Sequence, residues 1–542
     1  MKEQASALPK ERTDRRLTKT KRNSIEKAFD TEDKMGFLKK RPSLKAKEVQ
    51  AHETHKEKKR ISKPDSRRLW VTIAMLAISA AVIFLSMYVK IGVQGNMSDA
   101  TAASSVTAAT VMACIGTAGV SMLGLGLYLV FNESRVFKST KNMLIILTLI
   151  LLTTILNVLL SLISGGYFSA MLIAVILSAM LVKAGIGYPV AAVCALIAGM
   201  MAFPNEENWI PLVLAFAELL GGYAALFSLK QKFGRMAPII SGIIGGSVSA
   251  IAFMFVQAII LNGFENFTKP LIWMLSSGVL CGIVATGLTP ILEITFDVAT
   301  DARLSELMNN NNPLIKRLMI EAPGTYHHSM LVAALAESAA EQVHANSLLC
   351  KAAGYYHDVG KLRSPMHFSE NQRDFNIHDT LDPTESAERI IAHRKDSVTL
   401  LTKYKLPSDV IKLAGEHHGN STVAFFYNKA LRQAANPADV NEADFRYKAS
   451  RPSSKEAGIL MLADCCEAAV RSIKDPNAES IEAKVHEVVG NIWLKRDGQL
   501  SECPLTAKDV SIIEKSFIST LTAQYHERVE YPSLEEIEDA KK

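Results

Sequence analysis

Histidines able to bind metal are concentrated in one stretch of this sequence. Nine of its 13 histidines lie between residues 327 and 418. They are His327, His328, His344, His357, His367, His378, His393, His417 and His418. Histidine is the commonest metal ligand in proteins, and imidazoles mixed with carboxylates suit Zn, Fe, Mn or Ni better than Ca or Mg. The stretch therefore predicts a transition-metal site.

The doublet His357–Asp358, within "YYHDVGK", indicates how such a site is arranged. Neighbouring residues of an α-helix point about 100° apart, because one turn takes 3.6 residues. A doublet can therefore serve two adjacent ions only near a helix end, or when one member bridges both ions. An aspartate suits bridging because its two oxygens can bind two cations at once. We expect Asp358 to be the bridge and His357 to be a ligand of one ion.

Helices are expected to position these residues. Segments 328–343, 384–404 and 455–473 show helical periodicity. Alternating β-branched residues are almost absent, which favours an all-α domain. In this interpretation the ligands belong to five helices: one opened by His328, two that end at 357–358 and 417–418, and two that contain His393 and Asp464.

The sequence before the histidines is a membrane block. A transmembrane helix needs about 20 mostly apolar residues, and eight stretches are candidates, of which the fourth and fifth are the shortest. Basic residues between them lie mainly where the positive-inside rule predicts cytoplasmic loops. An even number of spans places both chain ends in the cytoplasm. The predicted spans are 69–89, 107–131, 142–164, 167–184, 187–203, 209–228, 237–262 and 270–289.

Composition divides the 542 residues into parts. Hydrophobic residues make up 49% of the chain, concentrated in the membrane block, and the net charge of +6 comes largely from the basic N-terminal tail. That tail is polar and poor in aromatics, which predicts disorder. Seven scattered cysteines without a C-x-x-C spacing fit a reduced compartment. The predicted parts are a tail at 1–68, a membrane block at 69–289, a helical domain at 290–535 and a charged tail at 536–542.

The ordered set of motifs resembles a known family. "EAPGTYHHSMLVA", "YYHDVGK", "FSENQ", "EHHG" and "EAAVRS" are similar to the seven-transmembrane HD proteins of bacteria, the PgpH-type cyclic di-AMP phosphodiesterases. The likeness covers residues 280–535 strongly and the spans more loosely. It implies a cytoplasmic HD metal-phosphohydrolase domain on the bacterial inner membrane. The implied partners are a cyclic dinucleotide and the lipid bilayer, without a nucleic-acid polymer.

The resemblance also implies a role for each site residue. Two divalent transition-metal ions, Fe or Mn, would activate water and clamp the attacking and leaving oxygens of an in-line displacement. Asp358 and Lys361 would be catalytic, and Lys361 and Arg471 would stand near substrate phosphate. The implied metal ligands are His328, His357, Asp358 and Asp464 for one ion, and the shared Asp358 with His393, His417 and His418 for the other.

An aromatic run offers a further substrate contact. Phe425, Phe426 and Tyr427 could stack on adenine, a contact worth about 1–3 kcal/mol per base, although aromatics at helical spacing also form ordinary core. Tyr427 is the substrate-binding candidate of this run. The polar stretch 436–455 is typical of a long loop.

Two departures bear on function. Only residues 90–106 separate the first two spans, too few for the large extracellular domain usual in this family. The cyclic di-GMP branch of HD enzymes follows its histidine pair with Gly-Tyr-Pro, whereas "HHGNSTVAFFYN" stands here. Two alternatives stay open: an HD hydrolase acting on cyclic di-GMP or a guanosine alarmone, and a non-catalytic nucleotide-sensing receptor. A homodimer through the spans or the HD domain is open too.

Overall fold

A computed structural model describes most of the chain after the basic tail. The described residues are 66–97, 108–202, 210–230, 234–261, 267–372, 375–495 and 498–525. Most of the predicted tail at 1–68, and all of the predicted tail at 536–542, lie outside them. The chain divides into two units, Met1–Leu69 and Trp70–Lys542. The helices that carry the predicted site belong to the second unit.

The described residues fold almost entirely into helices. They contain no β-strand, and a single isolated bridge joins Thr422 to Arg446. The all-α prediction is therefore confirmed.

The N-terminal part holds nine α-helices among the described residues. They are α1 Ser66–Met97, α2 Ala108–Asn132, α3 Ser134–Lys138, α4 Thr140–Ser164, α5 Met171–Leu181, α6 Gly187–Met201, α7 Ile210–Leu229, α8 Ala237–Leu261 and α9 Thr268–Thr295. Seven helices in the described chain are long and apolar enough to cross a membrane. The chain is a multipass membrane protein.

One predicted span forms a much shorter helix than expected. Within 167–184 the structure has only α5, with 11 residues, so the prediction of a full-length helix there is wrong. The preceding helix ends at Gly165 and Gly166, whose φ angles of 69° and 91° are readily adopted only by glycine. Almost every residue of α5 is buried among other helices. Because α5 is surrounded by protein, it does not need the length of a lipid-exposed span.

The last two membrane helices pack through glycines. A β-carbon at Gly246 on α8 would come within 2.7 Å of the Cα of Gly278 on α9. Small residues let transmembrane backbones approach this closely. α9 then continues past the predicted boundary at residue 289 and ends at Thr295, with Pro290 inside it.

The C-terminal domain is built from ten further α-helices in the described chain. Ser, Thr, Asn or Asp caps many of their N-termini and satisfies main-chain N–H groups there. Residues from α12, α13, α17, α18 and α19 form the largest core of the domain. The helices are α10 Asp301–Leu307, α11 Pro313–Glu321, α12 Pro323–Gln342, α13 Ser347–Tyr356, α14 Pro383–Lys403, α15 Ser408–Glu416, α16 Ala424–Gln433, α17 Lys455–Arg471, α18 Ala478–Gly490 and α19 Ala507–Gln524.

A polar joint connects the membrane helices to this domain. Arg235, just before α8, donates two hydrogen bonds of 2.5 and 2.6 Å to Glu306 on α10. The same guanidinium lies 3.3 Å from Glu293, a buried carboxylate near the end of α9. Glu293 also accepts a hydrogen bond from Thr300, the N-cap of α10. The first helix of the C-terminal domain is thus tied to two membrane helices.

Candidate metal centre

The structure brings all seven predicted metal ligands together. Five helices or their ends supply them, although α12 begins at Pro323 and contains His328 instead of opening at it. Six of the seven residues are buried. His328 lies on α12, His357 and Asp358 directly follow α13, His393 is on α14, His417 and His418 follow α15, and Asp464 is on α17. Residues 322–418 therefore contribute six ligands, and α17 brings the seventh across the domain.

The first set of ligands, called group 1, consists of His328, His357, Asp358 and Asp464. The Nε2 atom of His328 lies 3.1 Å from Asp464 Oδ1 and 3.5 Å from Asp358 Oδ2. The Nε2 atom of His357 lies 3.2 Å from the same Asp358 oxygen. One ligand atom of each residue lies within 4.8 Å of the others, a spacing that could hold a metal ion.

The second set, called group 2, consists of Asp358, His393, His417 and His418 and has the same compactness. Two of its histidines face the other carboxylate oxygen of Asp358. Nε2 of His393 lies 3.2 Å from Oδ1, and Nε2 of His417 lies 3.7 Å from it. Asp358 therefore turns one oxygen to each group, the arrangement that a bridging carboxylate requires.

Unsatisfied buried atoms indicate that these groups fit cations. The Nε2 atoms of His357, His393 and His417 and Oδ1 of Asp358 are buried, and no atom of the described chain outside groups 1 and 2 hydrogen-bonds them. Such atoms cost free energy unless something else binds them. All four point into the space shared by groups 1 and 2, and mixed imidazole and carboxylate donors suit a transition metal. The donor set fits the metal that the sequence predicts.

Main-chain carbonyls fix three of the imidazoles. Nδ1 of His357, of His393 and of His417 each donates to the carbonyl three residues earlier, at 2.8, 2.5 and 2.6 Å. Because Nδ1 carries the proton, Nε2 keeps its lone pair for a ligand. The helix backbone thus orients the three rings and sets their tautomers.

Charge within the site also favours cation binding. Burial opposes ionisation of Asp358, but the charges of His357 and Lys361 hold its pKa well below the usual value. Burial and the neighbouring His357 lower the pKa of His417 to about 3. Against burial, Asp358 raises the pKa of His357 to about 10. Ionised carboxylates and neutral imidazoles are the forms that bind metal.

A cavity of about 530 Å³ opens above the two groups. Lys361 lines it, with Nζ 2.8 Å from Asp358 Oδ2 and 2.6 Å from Glu370 Oε1. Its side chain is only 12% exposed. A buried ammonium beside the metal-facing carboxylate can bind an anionic ligand in this cavity.

The other predicted substrate contacts differ in position. Arg471 lines the cavity and is bonded to Glu467. Tyr427 does not line it, because its ring packs against Phe445 with centroids 5.5 Å apart. Within the same run, Phe426 belongs to a small core cluster against which Tyr427 packs, whereas Phe425 is 72% exposed.

The sequence analysis did not identify two residues that contact histidines of the site, Tyr447 and Glu467. Tyr447 lies in the predicted polar loop, yet it is buried, lines the cavity, and has its ring 4.3 Å from that of His418. No periodicity marks that loop, so the sequence offers no signal for it. Glu467 contacts His328 and stands three residues after Asp464, a helical spacing that could have identified it.

Two family models and several known proteins are similar to this chain. Residues 108–300 match the family described as "7TM receptor with intracellular HD hydrolase", and residues 325–469 match the HD domain. The "Cyclic-di-AMP phosphodiesterase PgpH" of Bacillus subtilis is 36% identical over 371 residues, which cover 68% of this chain and 51% of that protein. The protein of the same name from Listeria monocytogenes is 38% identical over 321 residues, 58% of this chain and 44% of that one. The chain thus spans about half the length of these curated relatives.

A solved structure is also similar. The HD domain of L. monocytogenes PgpH, crystallised in complex with cyclic-di-AMP, is 41% identical and covers 40% of this chain and 100% of that one, with a TM-score of 0.38. Over residues 108–300 and 325–469, the chain belongs to the family of seven-transmembrane receptors with an intracellular HD hydrolase domain.

Proposed function

We propose that this chain is a membrane-bound, metal-dependent phosphodiesterase that hydrolyses cyclic di-AMP to the linear dinucleotide. One observation carries the proposal: two compact ligand groups share Asp358 at the floor of a cavity that is also lined by Lys361, whose side chain is only 12% exposed. Two divalent ions, Fe or Mn, would be held by groups 1 and 2. When bound, such a pair stabilises the charge that develops in an in-line displacement at phosphorus.

The reaction adds water across one of the two phosphodiester bonds. The water oxygen bonds to phosphorus, and the ribose 3′ oxygen leaves with a proton. Lys361 would donate to a non-bridging phosphate oxygen, a role for which its position 2.8 Å from Asp358 suits it. Arg471, at the cavity wall, would neutralise the second phosphate.

Cyclic di-AMP is proposed because two curated relatives are named for its hydrolysis. Both relatives are at least 36% identical to this chain. The cavity volume of about 530 Å³ lies within the usual range for small-molecule sites, about 300–1,000 Å³. Tyr447, which lines the cavity, replaces Tyr427 as the aromatic contact that we propose for the substrate.

We further propose that α5 completes an eighth crossing, so that both chain ends lie on the cytoplasmic side of a bacterial inner membrane. α5 is about 16 Å long at 1.5 Å per residue, and the four non-helical residues before it add at most about 13 Å. Together they approach the roughly 30 Å of a hydrocarbon core. Side chains of Asn157, Ser164 and Cys281 hydrogen-bond main-chain groups of residues 168–170. Non-helical backbone is tolerated at membrane depth when it is buried in this way.

Turnover against a panel of nucleotides tests the enzymatic proposal. The full chain, purified in detergent and supplied with Mn²⁺ or Fe²⁺, is incubated with cyclic di-AMP, cyclic di-GMP and a guanosine alarmone. We expect cyclic di-AMP to be hydrolysed fastest, to the linear dinucleotide. Faster turnover of another compound would reject the substrate, and binding without turnover would favour a receptor.

Adjacent histidines provide a matched control. His328 is a group 1 ligand, whereas His327 is exposed. His328→Ala should lower kcat by more than about 100-fold, since losing a residue that only orients a ligand already costs about 10–100-fold. His327→Ala should leave the rate unchanged. Equal effects of the two substitutions would contradict the assignment of group 1.

A further inference from the structure

One imidazole of the site is held differently from the three anchored to main-chain carbonyls. Nδ1 of His328 lies 2.5 Å from Oε2 of Glu467. Glu467 is fully buried, and His328 is 5% exposed. The hydrogen-bond partner of this ring is therefore a carboxylate that is shielded from water. The rings of His357, His393 and His417 instead donate to neutral main-chain carbonyls.

Helix α17 places carboxylates at both nitrogens of the His328 ring. Asp464 Oδ1 lies 3.1 Å from Nε2, and Glu467, three residues later, binds Nδ1. Arg471, four residues after Glu467, donates a hydrogen bond to the other carboxylate oxygen of Glu467, Oε1. The ring is thus fixed between two carboxylates of one helix, and the guanidinium of Arg471 keeps the carboxylate of Glu467 in place.

The two ligand groups consequently differ in charge. Group 1 contains Asp358 and Asp464 and has Glu467 directly behind one of its imidazoles. Group 2 contains three histidines and only the shared Asp358. A carboxylate that accepts from the far nitrogen of a metal-binding imidazole orients the ring and makes it a stronger donor, and its loss typically costs about 10–100-fold in metal affinity.

We propose that Glu467 is a positioning residue that makes group 1 bind a divalent cation first and more tightly than group 2. The inference rests on the dinuclear centre of the proposed function and adds an order of loading to it. Its consequence is that the chain passes through a form with one ion in group 1 and with His393, His417 and His418 still free of metal.

Titration of the metal-free full chain with Mn²⁺ tests the inference without any turnover assay. Calorimetry should resolve a tight and a weak class of sites, and the electron paramagnetic resonance spectrum at one equivalent should be that of isolated Mn²⁺. Glu467→Gln preserves the shape of the side chain but removes its charge. This variant should weaken the tight class by about 10–100-fold and leave the weak class unchanged.

Two further variants make the result interpretable. Glu337→Gln removes a carboxylate from the same helix as His328, where Glu337 pairs with Lys351 at 2.8 Å, and should change neither class. His393→Ala should remove the weak class and keep the tight one, a test that does not depend on the folding of the Glu467 variant.

Three outcomes would overturn the inference. They are a single class of sites in the wild type, loss of the tight class in His393→Ala, and an unchanged tight class in a folded Glu467→Gln protein. Each still leaves a metal-binding chain, so the proposed function would survive. Absence of any Mn²⁺ binding would instead overturn both.

Discussion

Replacing Lys361 by methionine should destabilise the metal-free protein strongly. Its amine lies 2.8 Å from Asp358 and 2.6 Å from Glu370. The side chain of Lys361 is only 12% exposed, that of Asp358 3% and that of Glu370 13%. At an effective dielectric constant of 20, each attraction is about 6 kcal/mol before desolvation is subtracted. Removing one partner of a buried ion pair costs a net 3–5 kcal/mol or so. A cost of this size increases the equilibrium constant for local opening of the metal-free fold by roughly two to four powers of ten.

Lys484→Met is the matched control for this change. Lys484 pairs with Glu487 at 2.7 Å and at the same spacing of three residues, but the two side chains are 35% and 58% exposed. A solvent-exposed pair contributes about 0–1 kcal/mol. Burial is therefore the main difference between the two substitutions.

Hydrogen exchange followed by mass spectrometry measures both effects in the full chain. Peptides from α13 and α14 should lose protection in Lys361→Met, and peptides from α18 should barely change in Lys484→Met. Added Mn²⁺ should restore much of the lost protection, because cations then offset the charge of Asp358. Similar small effects of the two substitutions, or no recovery with Mn²⁺, would refute the reasoning.

Three further predictions concern the polar joint between the membrane helices and the C-terminal domain, the cavity, and the dependence of stability on pH. Arg235→Glu or Glu306→Arg should each increase protease cleavage between α9 and α10. The double exchange should restore part of the resistance, because it re-forms the pair between these positions but not the contact of Arg235 with Glu293; additive damage would exclude this coupling. Tyr447→Leu should lower kcat/KM for the proposed substrate by about tenfold or more, the loss of a base–aromatic contact worth about 1–3 kcal/mol, while Tyr427→Leu should not; the reverse pattern would restore Tyr427 as the contact. Glu514 raises the pKa of His486, so the ion pair that these residues form between α18 and α19 should be complete below pH 6.5 and be lost as pH rises through the raised pKa. Hydrogen exchange of α19 should increase over the same pH range, but only weakly because His486 is exposed. His486→Gln should abolish this pH dependence.

A transition-metal site could be predicted from the residues alone because metal chemistry restricts the types of side chain that serve as ligands. The doublet at 357–358 indicated a bridging aspartate from the residues alone. The resemblance to a family supplied the partners of each ion. The structure then brought the same seven side chains within reach of two points.

Features set by three-dimensional packing could not be read in the same way. The short α5 is stable because neighbouring helices bury it, which no hydropathy window records. Tyr427 and Tyr447 have similar chemistry, and only the path of the intervening loop decides which one faces the cavity. Glu370 reaches Lys361 from a region of irregular turns, where no periodicity indicates its direction.

Anomalous X-ray diffraction from crystals loaded with Mn²⁺ would test the central claim most directly. Two peaks should appear about 3.5–4 Å apart, one on each side of the Asp358 carboxylate, with group 1 around the first and group 2 around the second. A single peak, or peaks away from Asp358, would contradict a dinuclear centre that shares this residue.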